Sequence, residues 1–442
     1  MADMPEISVI IVSRDRPDDL RKMLSCLRFQ DISGFEVIVV TNTPGALEGA
    51  SHPTPLRLFD CDEANIAVAR NVGIFAAKGR FIAFCDDDAL PDPSWLGHLL
   101  APFKNPAIGG TGGFTRGRNG ISLQWGAVET DLVGVAHPLD IAADSKAEIF
   151  APSQKTAPVM IGTNCAFRAS ALKQIGGFDP AFAYYLDDSD ISLRLSQAGW
   201  KLAIVPRAQV HHGFAAGPYR AQNRVPKTLH PHGKSLAVFC RKHAPEGALE
   251  PALAAFTALQ FKRLEKQLLA GLMEPPALPA LIKSLEDGYQ TGRYFLLKSM
   301  PVGKKPAAGQ SPILELMPRT HVLLVGRKAD QKWLADTGKT LADGGIITTT
   351  LILSRSPAFM KANFSADGYW TLSGGQFGKS ARREPLLQKR SFYDKVQAEV
   401  QRLAGISPVD YVAFPQRPAQ AAIFSPQNAA MSCLNGFVVE SV

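Results

Sequence analysis

Residues 80–93 read Arg80-Phe-Ile-Ala-Phe-Cys-Asp86-Asp87-Asp88-Ala-Leu-Pro-Asp-Pro93. Phe81 to Cys85 is apolar throughout, with the length and aromatic and β-branched content of a buried strand. It runs directly into three consecutive carboxylates. Adjacent anions repel one another, and none leaves water cheaply without a counter-charge. A divalent cation with oxygen ligands resolves that conflict, placed at the carboxyl end of a strand where open α/β sheets take their ligands. An acidic turn facing water is the plainer alternative, but such turns seldom follow so abruptly on a wholly apolar strand. Pro91 and Pro93 end the run, and Trp95-Leu96 suggests a helix packing back on it.

This strand closes a series that starts at the N-terminus. Ile7 to Val12 is a near-continuous β-branched run, the pattern of a central parallel strand covered on both faces. Ser13-Arg14-Asp15-Arg16 follows, with Pro17 suited to a first helical turn and Asp18 and Asp19 to a helix N-terminus. Leu20, Met23, Leu24 and Leu27 then recur at helical spacing. Phe35 to Val40 and Leu56 to Phe59 read as two more strands. Asn65 suits an N-cap for a helix whose apolar face is Ile66, Ala69, Val72, Gly73 and Ala76, with Gly79 as its stop. Strand, helix, strand, strand, helix, strand predicts a doubly wound, mostly parallel α/β sheet. Its first strand-to-helix turn should open on the ligand crevice. That turn holds no glycine, which disfavours a dinucleotide fold or a nucleotidyltransferase built on a Gly-rich loop. Gly374 to Ser380 mimics a phosphate loop. It has Ser373 where the first glycine belongs and no apolar strand legible before it, so it is discounted.

The chain has 442 residues, long enough for two or three domains, and is 46% hydrophobic and 20% charged. No apolar run approaches the roughly 18 residues needed to span a bilayer, and Met1 to Glu6 lacks the features of a signal peptide. Cys26, Cys61, Cys85, Cys165, Cys240 and Cys433 are scattered singly, which favours reduced thiols, a cytoplasmic setting and no zinc module. Residues 1–240 hold 23 Lys and Arg against 24 Asp and Glu, and residues 241–442 hold 25 against 16, for a net charge of +8. The basic half is suited to acidic lipid headgroups at the inner face of a membrane, to nucleotides or to an anionic polymer, or is simply solvated.

Residues 109–150 are glycine-rich, then polar, and show no strong period. Further on, Ser170 could cap a short helix ended by Gly176-Gly177. Tyr184-Tyr185-Leu186-Asp187-Asp188-Ser189-Asp190 opens an amphipathic helix, where its N-terminus stabilises a carboxylate and the two aromatics suggest a pocket wall. Trp200 to Pro206 is a strand leading to His211-His212. Adjacent histidines on an extended segment point opposite ways, so one at most joins the aspartates, and a metal ligand is favoured.

Together these stretches resemble a family-2 glycosyltransferase of GT-A fold over roughly residues 5–243. The resemblance rests on the first strand with Ser-Arg-Asp-Arg-Pro, on Ala69-Arg70-Asn71-Val-Gly73, and on Phe84-Cys-Asp86-Asp87-Asp88. Gly162-Thr-Asn-Cys-Ala-Phe-Arg168 with Gly176-Gly177-Phe178-Asp179, and Leu186-Asp187-Asp188, complete it. It implies an inverting transfer from a nucleotide-diphosphate-sugar donor to a glycan or lipid-linked acceptor, with Mn2+ or Mg2+ as cofactor and no nucleic-acid partner. By that resemblance Asp88 ligates the metal with His211 or His212. Asp86 meets the donor ribose within the Asp86-Asp87-Asp88 donor motif, Ser13 and Arg14 lie along the nucleotide, and Arg70 lies near the phosphates. Asp188 is the general base beside Asp187. Three departures stand out: Thr41-Asn42 follows the second strand where an aspartate is frequent, the base motif starts with Asp187 where glutamate is usual, and Leu264 replaces the tryptophan of a QxxRW pattern begun by Gln260 and Arg263. The first leaves room for a non-catalytic glycan- or nucleotide-binding protein on the same fold; the last argues against a processive synthase.

Beyond a GT-A domain over 1–245, residues 246–300 suggest helices broken at Pro275-Pro276, and 301–312 a linker. Residues 313–442 suggest a second, smaller α/β, Rossmann-like unit: strand His321 to Val325, helix Lys332 to Ala342, strand Ile346 to Leu353. No residue pattern specifies the donor sugar, the acceptor or the oligomeric state.

Overall fold

The computed structural model describes residues 5–53, 55–117, 121–213, 217–300, 302–305, 319–415 and 437–441. The N-terminal half begins with β1 (Ile7–Ser13), α1 (Pro17–Leu27), β2 (Phe35–Thr41), β3 (Leu56–Asp60), α2 (Ile66–Ala76), β4 (Phe81–Cys85), β5 (Ala89–Pro91), α3 (Trp95–Leu100) and β6 (Ile108–Arg116). Short strands β7 (Leu123–Trp125), β8 (Val128–Thr130), β9 (Ala136–Pro138), β10 (Glu148–Phe150) and β11 (Ala157–Pro158) follow. Then come β12 (Asn164–Arg168), α4 (Ala169–Ile175), α5 (Asp187–Gln197) and β13 (Lys201–His212). Among the described residues one sheet runs β10-β13-β6-β12-β4-β1-β2-β3, with β5 beside β13 and β7 beside β6. β3, β2, β1 and β4 are mutually parallel. β12 lies antiparallel between β4 and β6, and β13 runs parallel to β6.

The strand alternation decides which helix each side chain meets. Ile7, Val9 and Ile11 of β1 and Phe81, Ala83 and Cys85 of β4 share a core with Leu20, Met23 and Leu24 of α1 and Trp95 of α3. Ile10, Ile82 and Phe84 point to the other face, against α2, α4 and α5. Full burial of such a side chain is worth roughly 1.5–3 kcal/mol, so β4 is pinned from both faces. The caps fall where the sequence puts them in most places: Pro17 opens α1, Asn65 accepts from the backbone of Ala67 and Val68, and Gly176 closes α4 with φ 78°. Gly79 is not a cap, because α2 ends at Ala76. Ser170 is not one either, since α4 begins at Ala169.

The helices α6 (His230–His243), α7 (Leu249–Leu269) and α8 (Ala277–Tyr294) come next. Leu253 and Leu264 of α7 and Leu281, Leu285 and Tyr289 of α8 share one core with Leu236 and Phe239 of α6 and with the sheet. The linker expected over 301–312 lies mostly outside the described residues; Gly303 N–H donates to Gln174 O at 2.7 Å.

The second α/β unit comprises β14 (His321–Arg327), α9 (Gln331–Asp343), β15 (Ile347–Ser354), β16 (Lys361–Phe364), β17 (Trp370–Gly375), α10 (Phe392–Ala404), β18 (Tyr411–Pro415) and β19 (Phe437–Ser441). Its sheet runs β16-β17-β15-β14-β18-β19, parallel through the middle four strands and antiparallel at both edges. A strand, β17, does precede the glycines at 374–378, but no helix follows until Phe392, so the segment lacks the architecture of a phosphate loop. This unit packs on the first through Phe29 and Cys26 against Phe364, Tyr369 and Trp370. His98 Nε2 lies 3.0 Å from the Ile406 carbonyl across the same contact. Among the described residues no helix is long and apolar enough to cross a membrane.

Candidate active site

The aspartates at the end of β4 part company by alternation. Asp86 turns toward the α2 and α5 face, where its Oδ2 accepts from the Thr163 hydroxyl at 2.6 Å. Asp88 lies 3.0 Å from His212 Nε2, and His212 lies 3.9 Å from Asp86. Asp86, Asp88 and His212 can each offer a ligand atom within 4.8 Å of the others. Two carboxylates and an imidazole suit a hard or borderline divalent cation such as Mg2+ or Mn2+.

Two sequence expectations are corrected here. Asp87 does not face this space. It is wholly buried, takes the Ser13 hydroxyl at 2.7 Å and pairs with Arg16 at 2.6 Å. Burial pushes its carboxyl up to about 8 against the pull of Arg16. His211 does not join the metal cluster, because neighbouring residues on β13 face opposite sides. It stands 3.5 Å from Asp92 with its ring 4.9 Å from that of Trp370.

The second acidic cluster starts α5. Leu186, just before it, adopts a left-handed φ of 65°, which turns the chain abruptly into the helix. Asp187 and Asp188 then both reach the buried guanidinium of Arg70, Asp188 at 3.2 Å. Arg70 also stands 3.8 Å from Asp86, and so bridges the two clusters rather than serving only phosphates. Burial opposes its charge, but Asp187, Asp188 and Asp86 hold it protonated well above the usual range. Gly162 makes room for it, since a Cβ there would come within 1.9 Å of Arg70 Nη2. Burial, then the adjacent Asp187, pushes Asp188 up to about 8, with Arg70 pulling back. The third acid, Asp190, is structural: Arg194, Lys242 and His243 hold it at 2.7 to 2.8 Å.

Ser13 lies beneath the site on Asp87, whereas Arg14 is at the rim and donates to the Asp62 carbonyl at 3.0 Å. Sequence reasoning missed Arg16, which also approaches Asp88 at 3.5 Å. It missed Gln124 as well, whose Oε1 lies 3.1 Å from His212 Nδ1. Arg16 stands in the turn already suspected. Gln124 falls in the aperiodic stretch and carries no signal. The Tyr184 and Tyr185 rings pack against His232 at 5.4 and 4.9 Å, and Tyr184 meets Tyr219 at 4.6 Å.

Residues 8–176 match the model of the family described as glycosyl transferase family 2. The chain is 27% identical over 225 residues to the O-antigen biosynthesis protein RfbC of Myxococcus xanthus, covering 48% of this chain and 18% of that one. It is 27% identical over 230 residues to the pre-mycofactocin glycosyltransferase of Mycobacterium tuberculosis, covering 47% and 42%. It thus spans less than half the length of these relatives. Among solved structures, TarS 1-349 of S. aureus in complex with UDP-GlcNAc aligns at 18% identity and TM-score 0.44, over 64% of this chain and 81% of that one. The matched stretch contains Arg70 and β4 with the aspartates that follow it, while Asp187, Asp188 and His212 lie beyond it.

Proposed function

We propose that this chain transfers a sugar from a nucleotide-diphosphate donor to a hydroxyl of a glycan or lipid-linked acceptor, with inversion and with a divalent metal. The observation that carries this reading is the pair of carboxylate clusters joined through Arg70. One includes the metal-ligating geometry of Asp86, Asp88 and His212, and the other offers a carboxylate of raised proton affinity.

Asp88 and His212, with Asp86, would hold Mn2+ or Mg2+, which supplies positive charge against the diphosphate leaving group. Gln124 Oε1 favours the proton on His212 Nδ1, which makes Nε2 the ligating nitrogen. Thr163 orients Asp86 toward the donor ribose. Asp187 is committed to Arg70, with its side chain 9% exposed, whereas Asp188 is 25% exposed. Asp188 is therefore the group that takes the acceptor's hydroxyl proton. One base on the acceptor side, with no second carboxylate serving as nucleophile, implies a single displacement and inversion. The aromatic wall of Tyr184, Tyr219 and His232 suits the apolar face of a sugar ring.

The acceptor class is supported by relatives rather than by geometry. One 89-residue stretch is 36% identical to an N-acetylglucosaminyl-diphospho-decaprenol L-rhamnosyltransferase of Mycobacterium tuberculosis, covering 20% of this chain and 28% of that one. The basic second half suits peripheral contact with acidic headgroups at a membrane's inner face. A panel of UDP-, GDP- and dTDP-sugars with Mn2+ tests the proposal. Metal-dependent release of nucleoside diphosphate from one donor, with a product of inverted anomeric configuration, is expected. Retention of configuration, or no turnover of any donor, counts against it.

A further inference from the structure

We propose that the cavity between the two α/β units binds a compact oxyanion of the inorganic phosphate class. The cavity measures about 30 Å³ and is lined by Arg116, His211, His321, Trp370, Ser380 and Arg402, among others. That volume suits a pair of waters or one tetrahedral anion, and is too small for a nucleotide.

The lining chemistry favours the anion. Arg116 ends β6, is 6% exposed and donates through Nε to Gln209. Arg402 enters from α10, where it also pairs with Glu399 at 2.8 Å. Burial, and next the charge of Arg402, lowers the pKa of Arg116 to about 10, with Asp92 and Glu399 pulling it back up, so the lining brings two guanidinium groups to one enclosed space. Trp370 is 5% exposed and, among the described residues, its indole Nε1 has no hydrogen-bond partner. A buried donor left unmade is costly. His321 contributes no charge: burial pushes it down to about 4, and its ring is spent on Thr349 and Pro408. Asp92 is the carboxylate in the lining, and it already faces His211. Glu399, behind the wall, is committed to Lys395, Arg402 and Ser380. Water would satisfy the indole but brings no charge to the two guanidinium groups that share the lining. A bound oxyanion answers both and ties β6 of the first unit to β17 and α10 of the second. The same arginines exclude a cation.

Isothermal titration of the full chain with inorganic phosphate, at constant ionic strength set by potassium chloride, tests this, with thermal unfolding alongside. Saturable binding with a raised unfolding midpoint is expected. Trp370→Phe should weaken it about tenfold, Arg116→Met should abolish it, and Asp88→Ala should leave it intact. Sulfate should compete and chloride should not. An equal, non-saturating rise with phosphate, sulfate and chloride in wild type and in Trp370→Phe would mean ordered water only and overturns the proposal. Loss of binding in Asp88→Ala with retention in Trp370→Phe would place the phosphate in the donor site and overturns it equally. Should Arg116→Met fail to fold, the wild-type and Trp370→Phe titrations decide the matter alone.

Discussion

Asp188 sits in the first turn of α5, reached through the left-handed turn at Leu186. Burial and Asp187 raise its pKa, to about 8, and a base must be unprotonated to act. The kcat/KM of the proposed transfer should therefore rise with pH and level off above about pH 8. Asp188→Asn should lose roughly 10²- to 10⁴-fold in rate, the usual worth of a general base, and its residual activity should not follow that pH curve. An unchanged pH profile in the variant would assign the proton to another group. Gln124 acts one contact behind the metal cluster, through His212. Gln124→Ala should weaken Mn2+ binding about 10- to 100-fold, measured by titration of the metal alone, as loss of an orienting partner generally does.

At the scale of elements, β6 shows what composition conceals. Ile-Gly-Gly-Thr-Gly-Gly-Phe-Thr-Arg shows no strong period, yet it is a central, fully buried strand. Its glycines are demanded by neighbours: a Cβ on Gly109 would come within 2.7 Å of Trp200, and one on Gly113 within 2.1 Å of the Ala208 carbonyl. Gly113→Ala should destabilise the N-terminal unit by about 1–3 kcal/mol in chemical denaturation, in line with overpacking elsewhere. A stability equal to wild type would show that β13 yields easily. By contrast β1, β2, β4, α1 and α2 were legible, because β-branched runs, Pro17 and Asn65 act locally. Asp86, Asp88 and Asp188 were also legible as members of two concentrated acidic clusters. Asp87's turn toward α1 and His211's toward Trp370 were not, since adjacent like residues differ only by the face that folding assigns them. Gln124 and Arg16 were missed because their partners are 88 and more than 70 residues away.

Across the whole molecule buried carboxylates carry proton linkages of both signs: Asp190 in the first unit, which burial would raise, is held below the ordinary carboxylate range by Arg194, His243 and Lys242. Glu399 in the second unit is held down to about 2 from the ordinary 4.5: burial would raise it, but Arg402, Lys395 and Ser380 prevail. Its depressed pKa stabilises that unit above pH 4.5, and the contribution is lost as pH falls toward 2. Asp87 and Asp188 in the first unit are raised to about 8 from 3.8. Their contribution is present below pH 3.8 and is lost as pH rises through 8. Hydrogen exchange should therefore show both units loosening in acid, through Asp190 and Glu399, and the first unit loosening again as metal-free protein is taken up to about pH 8. No loosening of the first unit on that rise would contradict the linkage. Lys395→Met, which removes one of the two cations on the buried Glu399 and leaves Arg402, should lower stability by about 1–3 kcal/mol in chemical denaturation.

The central claim is that donor chemistry and acceptor chemistry occupy the two sides of Arg70. The measurement that tests it most directly is paired titration and turnover of Asp88→Ala and Asp188→Asn with the donor identified by the panel, in saturating Mn2+. Asp88→Ala should lose metal-dependent donor binding. Asp188→Asn should bind the donor as wild type does and yet fail to transfer it. Equal losses of donor binding in both variants, or full turnover in Asp188→Asn, would contradict the account.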